Sequence, residues 1–159
     1  MSRKRTHRKH YALANPIQLA INGACLIDVG RLDQMRLLEL SAVQAFATGT
    51  ASIADWSTLA DVANLTQTMC TMGIGPEALQ PALHVQMALC EAHERFVATG
   101  RMGTTGPGLT AMRSLLEWHD LQRSGVARSV YETAIEKTRN WIRSGHPSTK
   151  VCMYESAGK

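Results

Sequence analysis

Apolar residues recur at intervals of three and four along most of the chain, the spacing that lines one face of an α-helix. Asn15 caps well, and Pro16 suits a first helical position, where its missing N–H costs nothing. A short apolar helix is predicted from Pro16 to Leu26, followed by a turn at Asp28-Val29-Gly30. From Arg31 to Thr48, Leu32, Met35, Leu38, Ala42, Ala45 and Phe46 share a face that Leu37, Leu40 and Val43 thicken. So broad an apolar surface predicts a central, heavily buried helix. Gly49-Thr50-Ala51 breaks the pattern, and Ser52 followed by Asp55 resembles a capping box with Asp in place of Glu. The helix it opens carries Trp56, Leu59, Ala60, Val62, Ala63, Met69 and Cys70, and stops at Gly73-Ile74-Gly75-Pro76. A fourth helix is predicted from Pro76 to Thr99, with the stripe Leu79, Ala82, Leu83, Gln86, Leu89, Cys90, His93, Phe96 and Val97.

The glycines from Gly100 to Gly108 form the clearest break in the chain. A fifth helix follows from Leu109 to Ser124, with Met112, Leu115, Leu116, Trp118 and His119 on its apolar side. Ser129-Val130-Tyr131-Glu132 reads as a second capping box. The last helix runs to Ser144 and buries Tyr131, Ala134, Ile135, Thr138, Trp141 and Ile142. No segment alternates with period two over a strand's length, so no strand is predicted. The expected fold is a single-domain, all-α bundle of five to six helices spanning residues 11–144. A disordered basic N-terminal arm, residues 1–10, precedes it, and a loose C-terminal tail, 145–159, follows.

Composition fits that reading. The chain has 159 residues, enough for one hydrophobic core, and 45% are apolar, too many for a disordered chain. Only 5% are aromatic, so the core must rest on Leu, Ala, Met, Val and Ile. No apolar stretch approaches the roughly 18 residues of a membrane span, and no membrane partner is expected. Cys25, Cys70, Cys90 and Cys152 are scattered without a CxxC pair, which points to free thiols in a reducing cytoplasm.

The net charge of +4 hides a segregation. Residues 1–10 hold Arg3, Lys4, Arg5, Arg8 and Lys9 with no acid, a charge of +5. Residues 11–120 carry −5, and residues 121–159 carry +4. An Arg-rich arm with His7 and His10 between its cations attracts phosphate backbones, whether DNA or RNA. Lys137, Arg139 and Arg143 add a basic edge to the last helix. Gly125 between two helices outlines a helix-turn-helix, but a recognition helix reads with its first half, which here holds Glu132 and Glu136.

His93 and His119 lie on apolar stripes, each beside an acid, Glu94 and Asp120, with Glu91 close in sequence. Two helices that brought them together would make weak candidates for a metal site. The spacing lacks HExxH and ExxH, and core histidines bonded to a backbone carbonyl or to Gln86 are the commoner outcome. No metal and no cofactor is therefore expected. The residue after Gly108 is Leu109, so the glycine-rich stretch lacks the Lys of a phosphate loop.

Arg3 to Lys9, Ala14-Asn15-Pro16, Gly73-Ile74-Gly75, Ala98-Thr99-Gly100-Arg101 and Leu116-Glu117-Trp118-His119-Asp120-Leu121 carry a resemblance. Together they resemble short proteins encoded in prophages and on mobile elements of beta-proteobacteria. Most of those are of unknown function, and some are labelled Fis-type transcriptional regulators. The resemblance spans nearly the whole chain and implies a phage accessory protein of the bacterial cytoplasm. Two non-enzymatic readings follow. One is a regulator that contacts nucleic acid through the arm, helped by Arg139 and Arg143. The other is an accessory factor whose acidic body binds a host protein. A metal-dependent enzyme comes third.

Overall fold

The computed structural model describes residues 16–145. These form an all-α bundle: α1 (Pro16–Ala24), α2 (Val29–Thr48), α3 (Ile53–Thr71), a 3-10 turn (Pro76–Ala78), α4 (Leu79–Thr99), α5 (Gly106–Ser124) and α6 (Arg128–Ser144). The described residues contain no strand, only a lone antiparallel bridge between Leu26 and Ala127. The expected arm (1–10) and nearly all of the expected tail (145–159) lie outside the described residues.

The predicted stops and starts act as their chemistry requires. Gly49 ends α2 and Gly100 ends α4 in the left-handed conformation that only Gly adopts cheaply. Ser52 and Asp55 make the expected reciprocal capping box on α3. Three expectations shift. Asp28-Val29-Gly30 is a helix start instead of a free turn, because the Asp28 carboxylate accepts from the Arg31 N–H. α5 begins at Gly106, where Thr105 caps the Gly108 N–H. Ser129 caps nothing: α6 starts earlier, at Arg128, and Glu132 pairs with Arg128 at 2.7 Å one turn away.

The larger correction concerns which helix is central. α3 holds that place, packing on α2, α4, α5 and α6, with eleven of its 19 residues buried. α2 buries only Glu39, Ala42, Val43 and Phe46. Its Leu37 and Leu38 are 67% and 68% exposed, and Leu40 is exposed too. Apolar residues ring α2, and a bundle covers only one side of it.

The main core joins Ala42, Val43 and Phe46 of α2 to Trp56, Leu59 and Ala63 of α3, with Val85 and Leu89 of α4 and Met112 and Leu115 of α5. A smaller cluster of Ile27, Met69, Tyr131 and Ala134 seats α6. The α4 face is rotated from the expected stripe: Ala82, Val85, Ala88, Leu89 and Ala92 are buried, whereas Val97 is exposed. On α6, Tyr131, Ala134 and Thr138 are buried, while Ile135, Trp141 and Ile142 are half-buried. Cys25 and Cys70 are free thiols. Cys90 is disulfide-bonded, against the expectation of four free thiols, so the scattered cysteines no longer argue for a reducing compartment. Cys152 lies outside the described residues.

Candidate functional site

The arm residues Arg3, Lys4, Arg5, Arg8 and Lys9 lie outside the described residues. Arg139 and Arg143 are described, and both are exposed on α6. Arg139 lines a groove with Asp61 of α3, and its charge opposes the desolvation that raises the Asp61 carboxyl above the usual range. Three other basic side chains of the body, Arg36, Arg123 and Arg128, are held by carboxylates, whereas Arg31, Arg95, Arg101 and Arg113 are exposed. Arg36 bonds Asp120 at 2.6 Å and lies 3.7 Å from Asp33. Arg123 is buried between Glu39 and Asp120, and Arg128 is held by Glu132.

α6 packs on α3 and α1, and its first half presents Glu132 and Glu136 to solvent.

The two histidines part company. His93 is half-buried, its ring tilted at 44° to Trp56 with centroids 5.5 Å apart. The expectation that both histidines are buried therefore holds for His119 alone. His119 is fully enclosed, with Nδ1 3.0 Å from the Thr66 hydroxyl and Nε2 3.1 Å from the Tyr131 hydroxyl. Its neighbour Asp120 turns to Arg36 and Arg123 instead. Gln86 serves neither histidine: its amide donates to Asn64 at 3.1 Å and to Gln67 at 2.7 Å. Among the described residues, no three His, Cys, Asp or Glu side chains are placed to hold a metal.

The electrostatic centre of the body is a buried cluster that the sequence did not announce. Glu39 accepts from Arg123 at 2.7 Å, and both side chains are at least nine-tenths buried. Asp120 completes the link from Arg123 to Arg36, giving two carboxylates and two guanidiniums. Burial pushes the Glu39 carboxyl up, and Arg123 only partly offsets it. Burial also works against the Arg123 charge, but the Glu39 bond and both carboxylates hold that guanidinium above its ordinary value. Glu39 Oε2 and Arg123 Nε have no hydrogen-bond partner among the protein's described atoms.

The neighbouring hydrogen-bonded pair is neutral at physiological pH. Burial lowers His119 to about 3 and raises the Tyr131 phenol to about 12. Neither titrates near neutrality, and both imidazole nitrogens are occupied, so this pair holds α3, α5 and α6 in register. Thr138 extends the clamp by donating to Thr68 at 2.7 Å.

A groove of about 290 Å³ opens over this cluster, between α2, α3 and α6. Met35, Leu38, Val62, Leu65, Ile135 and Ile142 make its walls apolar. Glu39, His119, Tyr131 and Thr138 also line it, with Asp61 and Arg139. Glu39 and Arg123 escaped the sequence reading, yet each sits in a legible place. Glu39 is four residues from Met35 and Val43, and Arg123 four from His119 and seven from Leu116, so both share apolar stripes.

No helix among the described residues is long and apolar enough to cross a membrane. Compared with known proteins, the chain matches no family model, no curated protein and no solved structure.

Proposed function

We propose that this is a non-enzymatic accessory or regulatory protein of the phage type, acting in the bacterial cytoplasm, that contacts nucleic acid through Arg3, Lys4, Arg5, Arg8 and Lys9. The observation that carries the reading is the segregation of charge. The first ten residues hold +5, whereas residues 11–120 hold −5 and direct Arg36 at their own carboxylates. A cationic segment on a body of opposite sign is a tethered phosphate ligand: it gains affinity from released counterions and little sequence information. Arg143 at the exposed end of α6 assists, and Arg139 less so, because Asp61 shares its field.

The test is a titration of labelled DNA duplex and of RNA duplex with the full chain, and with a variant carrying Ser at all five arm cations. The full chain is expected to give a slope of log affinity against log salt of about −4 to −5 on DNA, and the variant a slope near zero. Equal binding by the variant overturns the proposal. The second reading, an acidic body that binds a host protein, draws its support from the exposed Leu37, Leu38 and Leu40 of α2.

A further inference from the structure

The groove between α2, α3 and α6 is built like a ligand site. Its volume of about 290 Å³ lies at the small end of ligand pockets, which run upward from roughly 300 Å³. Met35 of α2, Val62 and Leu65 of α3, and Ile142 of α6 give it apolar walls. The polar side chains at its base are buried and, with one exception, satisfied. Both ring nitrogens of His119 are engaged, by Thr66 and Tyr131, and the Thr138 hydroxyl donates to Thr68. Glu39 is the exception: Arg123 bonds its Oε1, while Oε2 has no hydrogen-bond partner among the described residues. Arg123, whose Nε is also unpartnered, does not line the groove.

The open position is therefore an acceptor, and a ligand must bring a donor to it. It need not bring a charge, because Arg123 already offsets Glu39, and Arg139 stands in the field of Asp61. Two lining groups favour an aromatic body. The Met35 thioether is polarizable and packs well against a ring edge. The exposed Arg139 guanidinium is a cation for a ring face. We propose that this groove binds a small neutral aromatic molecule with one hydroxyl or ring N–H, of the phenol or indole type. Its donor meets Glu39 Oε2, and its ring lies between the apolar walls. None of the five arm cations enters the chemistry of this site, so it stands or falls apart from nucleic-acid binding.

The test is an amide NMR titration of the full chain with phenol, toluene and cyclohexanol, which share ring size. Phenol is expected to give saturable shifts at the amides of α2, α3 and α6 around the groove. Toluene lacks the donor and should bind about tenfold more weakly or worse, the difference expected of a hydrogen bond to a charged acceptor. Cyclohexanol keeps the donor but loses the aromatic face, and should also bind more weakly than phenol. Ile142→Trp fills the groove from a half-buried position and should abolish phenol binding with the helical circular dichroism unchanged. In the double variant Glu39→Met with Arg123→Met, which removes the acceptor together with its partner, phenol and toluene should bind alike. Phenol bound no more tightly than toluene or cyclohexanol by the unaltered chain overturns the inference. So does phenol binding that Ile142→Trp leaves intact, or the absence of saturable shifts around the groove.

Discussion

Replacing Arg123 by Met removes one partner of a buried ion pair and little volume. Arg123 and Glu39 have side chains 1% and 6% exposed, so the carboxylate left behind is poorly solvated. Breaking such a pair from one side costs about 3–5 kcal/mol, a large part of a total near 5–15 kcal/mol. At a urea dependence of about 2 kcal/mol per molar, the midpoint should fall by roughly 2 M. The Asp120 carboxylate contributes little to the loss, because Arg36 still holds it at 2.6 Å and it is partly exposed. The double variant Glu39→Met with Arg123→Met should regain most of the loss, since apolar side chains of like volume replace a buried pair at little cost. Acid should also rescue the single variant. Without Arg123, the folded-state pKa of Glu39 rises further above its unfolded value, so the folded protein takes up the proton first. Stability is then gained as pH falls and lost as pH rises through that pKa. The assay is urea unfolding followed by tryptophan fluorescence at pH 5 and pH 8. A loss under about 1 kcal/mol for Arg123→Met, or a double variant no better than the single one, refutes the account of this cluster as a mutually dependent pair.

Two further outcomes follow from the same helices. His119 has its folded pKa lowered from 6.5 to about 3, so its contribution is present above pH 6.5 and is lost as pH falls from there towards 3. Between pH 6.5 and 5 the loss should be about 2 kcal/mol, and His119→Gln should flatten that part of the stability curve; an unchanged curve would show that another group titrates. Ser52→Ala removes the side chain that caps the Asp55 N–H and should lower stability by about 1 kcal/mol in urea unfolding; no change would mean that solvent caps α3 equally well.

Which parts of this fold could be read from the sequence depends on where each residue's partner lies. Partners within four residues were legible. Ser52 and Asp55 form their box, the two αL glycines end α2 and α4, and the apolar positions of α3 are buried as expected. Partners far along the chain were not. Arg123 lies 84 residues from Glu39, so a local pattern sees only a charge interrupting an apolar stripe. The Ser129 box failed for a related reason: the sequence fits, but the bridge between Leu26 and Ala127 fixes the chain just before α6, and the helix starts there.

The exchange of roles between α2 and α3 follows from the same cause. Leu37, Leu38 and Leu40 make α2 look like the middle of the molecule, whereas Asn64, Thr66, Gln67 and Thr68 give α3 a stretch that reads as solvent-facing. Burying four polar side chains within five residues is unfavourable unless each is bonded, and here each has a partner. Gln86 engages Asn64 and Gln67, His119 engages Thr66, and Thr138 engages Thr68. Those partners come from α4, α5 and α6, so the polar stretch of α3 is what brings three helices to one axis. The leucines of α2 need no such match and can lie outside. Apolar content therefore told how much surface must be covered, and the hydrogen-bonding polar residues decided which helix stands at the centre.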